Sequence, residues 1–277
     1  MTRTEAPVGG LIVCPTPIGN LEDVTLRVLA TLGRVDLVAC EDTRHTRILL
    51  DRHGIRARLV SFHEHNERAR VRELVGRIRA GALVALVSDA GMPLLSDPGF
   101  ALVSACLGEG LPVEVLPGPS AILTALVASG LPAERWLFVG FLPRRRAELE
   151  RLLGGAPDTL VAFESPRRLA ATLRVLAALQ PERAVVVCRE LTKLHEEVRR
   201  GSAAELAAHY SESPPRGELV LVLGPTPPGL AGREEALGAL RDLVGAGARA
   251  RPAAAAVARL TGMRANELYR ELMSDGQ

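Results

Sequence analysis

Three polar loops follow apolar, strand-like runs in the first half of the chain. They are residues 14–23 (loop 1), residues 88–99 (loop 2) and residues 117–121 (loop 3), and all three contain proline and glycine. Parallel strands end at a common edge of their sheet, where ligands bind, so we expect the loops to form one stiff cleft rich in backbone groups. Asp89 is the carboxylate best placed to accept hydrogen bonds from ligand hydroxyl or amino groups. Such a cleft suits a nucleoside-like ligand, because peptide groups can read an adenine edge.

Charged residues adjoin four further strand-like runs. One group occupies residues 40–46, and the others, in the second half of the chain, are Glu164 in residues 163–169, Arg189, Glu190 and Lys193 in residues 189–197, and Glu218 in residues 217–223. Clefts between domains are common ligand sites. A ligand held between the two halves would therefore meet charged groups from both.

Lys193 is the only lysine among 34 basic side chains, and all the others are arginine. An ammonium group can lose its proton when it is buried or lies near other cations, whereas guanidinium stays charged in proteins. Such a bias towards arginine usually reflects genome composition. Lys193 is then either an ordinary surface residue or a residue whose position requires an amine, and both interpretations stay open.

Several function classes are disfavoured because their motifs are missing. The only lysine follows Thr192 rather than a glycine, so there is no P-loop. Residues 245–250 match the dinucleotide pattern G-x-G-x-x-A but lie between helical patterns, which argues against a nicotinamide dehydrogenase. The four cysteines form no C-x-x-C pair and the histidines lack metal-ligand spacing, so we expect no bound metal. His63 follows the third strand-like run and is a candidate for positioning a substrate.

Apolar, β-branched runs alternate with helical patterns in the first half of the chain. This alternation predicts an α/β domain with a parallel sheet, and the nearly continuous apolar character predicts helices on both faces. The five runs are residues 11–13, 36–39, 59–62, 83–87 and 113–116.

The second half has fewer helices per strand, which favours a mixed sheet in an α+β domain. Its strand-like runs are residues 137–141, 160–163, 184–189, 197–200 and 219–223. Ser202 and Glu205 have capping-box spacing and should open a short helix. In loop 2, Asp97 is expected to cap a helix with Pro98 at its first position.

Proline and glycine crowd residues 224–232, and this composition indicates a linker. Helical patterns with Gly262 as a break follow it, and they fit either a helix-turn-helix-like tail or a small helical cap. The helical patterns cover residues 234–244, 252–260 and 266–273. The expected organisation is an N-terminal α/β domain over residues 1–132, an α+β domain over residues 133–224, and a linker with a helical extension over residues 225–277.

The net charge of +2 is too small to indicate nucleic-acid binding by itself, so any RNA contact must come from local arginine clusters. Arg144, Arg145 and Arg146 form one run, and five arginines crowd a predicted helix over residues 68–79. Glutamates lie near both clusters, so a solvated helix face is an equally good interpretation of these arginines. No apolar run reaches about 18 residues and the polar start lacks a signal-peptide layout, so we expect a cytoplasmic protein without a membrane span.

The order of these motifs resembles the tetrapyrrole methylase superfamily. Within it, the chain resembles the branch that methylates a cytidine 2′-oxygen in small-subunit ribosomal RNA, and the similarity covers residues 11–224 and the C-terminal ANELYREL. Loop 1 carries prolines where corrin-synthesising relatives have G-x-G-P-G-D, in agreement with the RNA branch. The motifs are PTPIGNLEDVT, CEDTRHT, SDAGMPLLSDPG, PGPSA, FESPRRL, RELTKLHEE and GELVLVLG.

The resemblance implies a homodimer of two-domain α/β subunits that holds S-adenosylmethionine folded between the domains. It implies that the substrate is a cytidine near the decoding centre of an assembled small ribosomal subunit. The cofactor-lining residues that it implies are Ile18, Asp89, Met92, Ser120, Ala121, Phe163, Leu191 and Glu218.

Methyl transfer to a ribose requires the 2′-oxygen to be aligned with the S–CH₃ bond and its proton to be removed by a base. Lys193 is our hypothesis for that base, kept neutral by Arg189 and by burial, with Glu190 and Asp42 as weaker candidates. The candidate contacts to RNA phosphates are Arg44, Arg47, Arg144, Arg145 and Arg146.

Two other functions stay open. A tetrapyrrole C-methyltransferase of the same superfamily would share the cofactor cleft but would need neither a basic surface nor a helical tail. A noncatalytic RNA-binding protein of ribosome assembly would not need the cofactor.

Overall fold

A computed structural model of the chain describes residues 9–226, 233–261 and 263–274. They form two compact units. The first comprises the described residues up to Ala125 together with Arg189–Glu197, and the second comprises Leu126–Cys188 together with the described residues from Val198 onward. The 189–197 segment therefore belongs with residues that precede it by more than sixty positions.

The first unit is an α/β fold with a parallel sheet, as the alternating pattern predicts. The strand order is β3-β2-β4-β1-β5, and each neighbouring pair is parallel. Its strands are β1 (Gly10–Val13), β2 (Leu37–Cys40), β3 (Leu59–Ser61), β4 (Leu83–Val87) and β5 (Val113–Val115), and its helices are α1 (Leu26–Leu32), α2 (Thr43–Arg52), α3 (Glu67–Arg79), α4 (Phe100–Gly108) and the start of α5 (Ala121–Ser129).

Helices cover both faces of this sheet, which explains why its central strands are apolar on both sides. Val28 of α1 and Leu50 of α2 are buried against one face, while Leu74 of α3 and Leu102 of α4 are buried against the other. The chain thus leaves the neighbouring strands β1 and β4 towards opposite faces. Their carboxyl ends form the topological switch point of the sheet, the position where ligands bind in open α/β folds.

The second unit contains a mixed sheet with the strand order β6-β7-β10-β8-β9. Strand β6 is parallel to β7, whereas β10 is antiparallel to it. The strands are β6 (Trp136–Phe141), β7 (Thr159–Glu164), β8 (Ala184–Arg189), β9 (Glu197–Ser202) and β10 (Leu219–Leu223), and the helices are α6 (Arg146–Gly154), α7 (Pro166–Leu179) and α8 (Ala203–Glu212). Residues of all three helices join one core with β7, β8 and β10. Ser202 and Glu205 form the expected capping box at the start of α8.

Three further helices follow at the C-terminus, as the sequence predicts. They are α9 (Arg233–Gly245), α10 (Ala250–Thr261) and α11 (Ala265–Ser274), and they share a small core around Leu240, Val257 and Leu268. The expected linker falls mainly on residues 227–232, and these residues, the expected break at Gly262 and the N-terminal residues 1–8 lie outside the described ranges. Within those ranges, no helix has the length and apolarity to cross a membrane.

The expectation that Asp97 caps a helix with Pro98 at its first position is wrong. Helix α4 begins at Phe100, and its N-cap is Gly99, whose φ is 135°. A Cβ at residue 99 would lie 2.8 Å from Leu86 Cδ2, so loop 2 closes tightly on the sheet before the helix can start. This close approach delays the helix by two residues and leaves the Asp97 carboxyl for another role.

Candidate active site

Loops 1 and 2 are joined at the switch point by a short antiparallel bridge. The backbone N–H of Thr16 donates to the carbonyl of Gly91 at 2.9 Å, and the N–H of Gly91 donates back to the carbonyl of Thr16 at 3.0 Å. The Thr16 hydroxyl donates to the carbonyl of Ser88 at 3.0 Å, and the Ser88 hydroxyl donates to the carbonyl of Gly91 at 3.1 Å. These bonds satisfy buried polar groups and hold the two loops as one rigid edge.

Loop 3 reaches the same edge. A Cβ at Gly118 would lie only 2.4 Å from Pro15 Cγ, so the absence of a side chain allows loop 3 to approach loop 1. At Gly91 a Cβ would lie 3.4 Å from Ile18 Cγ2 and 3.9 Å from the carbonyl oxygen of Pro119. The three loops singled out from the sequence therefore converge at one place.

Asp89 connects this edge to helix α2. One of its carboxylate oxygens accepts a hydrogen bond from the backbone N–H of Asp42 at 3.0 Å. Asp42 in turn caps α2 by accepting from the backbone N–H of Arg44 at 2.8 Å, and it also pairs with the Arg44 guanidinium. Hydrogen bonds from Arg44 hold the pKa of the Asp42 carboxyl well below its usual range, which disfavours Asp42 as a general base.

Glu41 and Asp97 complete a group of carboxyls around Asp89. Burial, followed by repulsion from Asp89, raises the pKa of Glu41. Burial, followed by repulsion from Glu41, raises the pKa of Asp97 to about 6. The edge therefore concentrates negative charge, which a cationic ligand would relieve.

Replacing Asp97 with asparagine is expected to stabilise the ligand-free protein at pH 8 but not at pH 4. Because the folded-state pKa of about 6 exceeds the usual value of 3.8, ionisation costs stability as the pH rises from about 4 to beyond 6. Thermal unfolding curves at the two pH values should show a gain of roughly 2–4 °C at pH 8 only. An equal gain at both pH values would contradict the charge-based explanation.

The 189–197 segment packs onto loop 1 within the first unit. The Thr192 hydroxyl accepts a hydrogen bond from the backbone N–H of Asn20 at 3.0 Å, and Leu191 is buried. Lys193 Nζ lies 3.0 Å from Glu190 Oε1, and both side chains are mostly buried. Arg189 pairs with Glu197 at 3.1 Å and so is neutralised by a carboxylate. The predicted role of Arg189 in keeping Lys193 uncharged finds no support in this geometry.

The remaining candidate residues have different surroundings. Arg44 and Arg47 lie on exposed positions of α2, and Met92 packs against the first unit's core. Ser120 precedes α5, Ala121 begins it, and the Ser120 hydroxyl accepts from the backbone N–H of Leu123 at 3.4 Å. His63 forms a local turn in which its backbone N–H donates to the Asn66 side chain.

The other candidates belong to the second unit. Phe163 in β7 makes an edge-to-face contact with Phe138, with ring centroids 5.2 Å apart. Glu218 directly precedes β10, which pairs Leu219 with Glu164, so Phe163 and Glu218 lie at the same end of two neighbouring strands. The Arg144–Arg146 run is exposed, and two of its arginines form surface ion pairs with glutamates of α6.

Sequence reasoning missed residues that act through the fold. Gly19 and Thr192 lie within motifs noted in the sequence, but neither is charged, so nothing indicated the contact between loop 1 and the 189–197 segment. Glu164 seemed to be a ligand candidate, but it is buried and accepts from the Thr172 hydroxyl at 2.6 Å, which is a structural role. No cluster of metal-ligating side chains occurs in the part of the chain that the structure describes.

The fold is shared by the uroporphyrin-III C-methyl transferase of Thermus thermophilus complexed with S-adenyl homocysteine, with a TM-score of 0.56, 22% identity and coverage of 78% of this chain and 97% of that chain. The chain belongs to the family of tetrapyrrole (corrin/porphyrin) methylases, whose family model matches residues 10–207.

Relatives within this family are much more similar in sequence. A protein of Mesorhizobium japonicum named ribosomal RNA small subunit methyltransferase I is 47% identical over 98% of this chain and 95% of its own length. A protein of the same name from Thermotoga maritima is 46% identical over 78% of this chain and 98% of its own length.

Proposed function

We propose that this chain transfers the methyl group of S-adenosylmethionine to the ribose 2′-hydroxyl of a cytidine in the decoding region of small-subunit ribosomal RNA. The observation that carries the proposal is the 47% identity to a ribosomal RNA small subunit methyltransferase I over nearly the full length of both chains. This substrate makes the small ribosomal subunit the partner and the cytoplasm the place of action. We also infer a homodimer, which light scattering would test.

The loop edge of the first unit fits S-adenosylmethionine, which supplies a methyl group activated by a sulfonium cation. Glu41, Asp89 and Asp97 create a negative environment that favours a cation. Ile18 is a buried apolar side chain beside Gly91, and the backbone groups of loops 1 to 3 can read an adenine edge. The other residues assigned to the cofactor by family resemblance are Met92, Ser120, Ala121, Phe163, Leu191 and Glu218.

Lys193 is the proposed acceptor of the hydroxyl proton. Its contact with the Glu190 carboxylate favours the charged ammonium form, in contrast to the neutral amine expected from the sequence. The amine can act as a base only when it has lost its proton. Glu190 therefore orients Lys193 while it limits the fraction of free amine at a given pH.

The proposed function is tested by incubating the protein with isotope-labelled S-adenosylmethionine and unmodified small ribosomal subunits. Mass spectrometry of the RNA is expected to show one methyl group on the ribose of a single cytidine. S-adenosylmethionine should also raise the midpoint of thermal unfolding, since a ligand at 100 times its Kd stabilises the native state by about 2.7 kcal/mol. Stabilisation without RNA methylation, together with methylation of a tetrapyrrole, would favour the C-methyltransferase. Absence of both S-adenosylmethionine binding and methylation would favour a noncatalytic RNA-binding protein.

Replacing Arg144, Arg145 and Arg146 with glutamine is expected to lower the salt dependence of RNA binding. These side chains are exposed, and exposed ion pairs contribute only about 0–1 kcal/mol, so their glutamate partners leave them available to phosphates. The slope of log K against log salt is negative, and its magnitude should decrease by about one unit for each lost phosphate contact. Arg47→Gln tests α2 in the same way, and Arg174→Gln, on an exposed position of α7, is the control. Unchanged slopes would assign these arginines to a solvated surface.

A further inference from the structure

The 189–197 segment contains two non-glycine residues with left-handed backbone conformations. Glu190 has a φ of 50° and Thr192 a φ of 66°. Such conformations cost about 1–3 kcal/mol each and persist only where surrounding contacts impose them. Glu190 and Thr192 flank the buried Leu191, and Thr192 immediately precedes Lys193. The contacts that impose this turn therefore also determine where the only lysine of the chain lies.

One of those contacts comes from loop 1, and the others are made within the turn, where the backbone N–H of Thr192 also donates to the Glu196 carboxylate. The backbone N–H of Asn20 donates to the Thr192 hydroxyl, while the Asn20 side chain accepts from the backbone N–H of Glu22 and opens the following 3-10 turn. Within the turn, the N–H of Lys193 donates to the carbonyl of Glu190, and the N–H of Glu196 donates to the carbonyl of Lys193, each at 3.0 Å. The Lys193 backbone is thus held on both sides, and Thr192 ties the turn to loop 1.

Gly19 makes this attachment possible. A Cβ at residue 19 would lie 2.4 Å from Lys193 Cγ, 2.8 Å from Thr192 Oγ1 and 3.0 Å from the carbonyl oxygen of Leu191. No side chain fits there, so the stem of Lys193 runs directly against the loop 1 backbone. Alanine at residue 19 would push the lysine side chain and its turn away from loop 1.

We propose that Gly19 and Thr192 are positioning residues that hold Lys193 and its partner Glu190 against loop 1. The proposal rests on the proposed function, in which loop 1 borders the methyl donor and Lys193 accepts the hydroxyl proton. Neither residue touches the reacting atoms. Their effect is exerted through the place and orientation of the amine, because misplacement by about 1 Å can cost about 100-fold in rate.

Because Lys193 is the only lysine, protein produced with isotope-labelled lysine gives one lysine side-chain signal, which reports the position of this residue without any assay of activity. Thr192→Val removes the hydroxyl at nearly constant shape, Thr192→Ser retains it, and Gly19→Ala fills the contact. Gly76→Ala is the matched control, since a Cβ at that exposed position of α3 meets nothing within 4 Å.

We expect the Lys193 Cε signal to move towards the value of a free lysine in Thr192→Val and Gly19→Ala, and to stay at the wild-type position in Thr192→Ser and Gly76→Ala. kcat should fall by about 10- to 100-fold in the first two variants, with the affinity for S-adenosylhomocysteine changed much less. Unmoved signals in both variants, or failure of Thr192→Ser to restore the wild-type signal, would overturn the proposal.

Different experimental results would contradict the proposed function and the positioning role of Gly19 and Thr192. A displaced Lys193 signal combined with unchanged kcat would show that the contact positions a lysine that the reaction does not use, and the positioning role in catalysis would be overturned while methyl transfer itself persists. Absence of methyl transfer by the wild-type protein would instead remove the proposed function, and the lysine signal would still show whether Gly19 and Thr192 hold the turn.

Discussion

Substitution of Lys193 by methionine is expected to slow methyl transfer at saturating cofactor by about 100-fold or more. General-base catalysis contributes roughly 10²- to 10⁴-fold, and methionine fills similar space without a proton acceptor. Lys193→Arg should be equally slow, because guanidinium keeps its proton in proteins although it preserves the positive charge. Single-turnover measurement of RNA methylation separates this chemical step from the binding of either reactant.

The two variants together distinguish a base from a fixed cation. Full activity of Lys193→Arg would show that only the positive charge matters, and near-normal turnover of Lys193→Met would remove Lys193 from the reaction. Binding of S-adenosylhomocysteine serves as the control for an intact cofactor site. The pH–rate profile adds an independent measure, since the wild-type rate should rise with pH as the amine loses its proton.

Glu190 affects that profile in a predictable direction. Its carboxylate stabilises the Lys193 ammonium at 3.0 Å, so Glu190→Gln should let the amine lose its proton more readily. The rising limb of the profile is then expected to move to lower pH. Movement to higher pH would contradict the stabilisation of the ammonium by Glu190, whereas loss of activity at all pH values would point to Glu190 itself as the base.

The strands and helices follow from the sequence because burial leaves a regular pattern there. Strands such as β4 are apolar on both faces, and the capping box at Ser202 is a local signal that tertiary contacts did not override. The position of loops 1 to 3 at one edge follows from the parallel topology that this pattern predicts. These features could be predicted because they depend on residues close together in the sequence or on the apolar pattern of the strands.

Contacts between distant residues leave no such pattern. Asp97 has good spacing for a helix cap, but the packing of Leu86 and Leu94 around Gly99 decides where α4 begins. Lys193 stands out in the sequence because it is the only lysine, whereas Thr192, which holds it, is a neutral residue in a charged segment. Its role appears only when Asn20, which is 172 positions away in the chain, is seen to donate to it.

Arg183 is a residue whose importance for stability likewise depends on distant contacts that leave no pattern in the sequence. In the sequence it is one of 33 arginines and resembles a surface residue, yet its side chain is fully buried. Nε donates to the carbonyl of Gly224 at 2.8 Å, and one terminal nitrogen donates to the carbonyl of Leu153 at 2.8 Å and to the Gln180 side chain at 2.9 Å. It therefore ties together the ends of α6, α7 and β10. Burial lowers the pKa of Arg183 to about 10, because desolvation disfavours the charged form.

Arg183→Met is expected to lower the free energy of unfolding of the second unit by about 3–5 kcal/mol. Each buried acceptor left without a donor costs about 1–3 kcal/mol, and the substitution removes the donor to the carbonyls of Leu153 and Gly224. Relief from burying a charge offsets part of this loss, but methionine cannot donate to either carbonyl. Urea unfolding followed by the fluorescence of Trp136, the only tryptophan, reports on this unit because the residue lies in β6.

Arg174→Met is the matched control, since Arg174 is exposed on α7 and surface substitutions usually change stability by less than about 0.5 kcal/mol. Arg183→Lys keeps a positive charge but not the planar set of donors, so it should lose an intermediate amount and remains measurable if the methionine variant does not fold. A loss below about 1 kcal/mol in Arg183→Met would mean that water reaches the abandoned carbonyls. The three chain segments would then be held by the apolar core of the unit, and the buried guanidinium would be a tolerated cost instead of a stabilising contact.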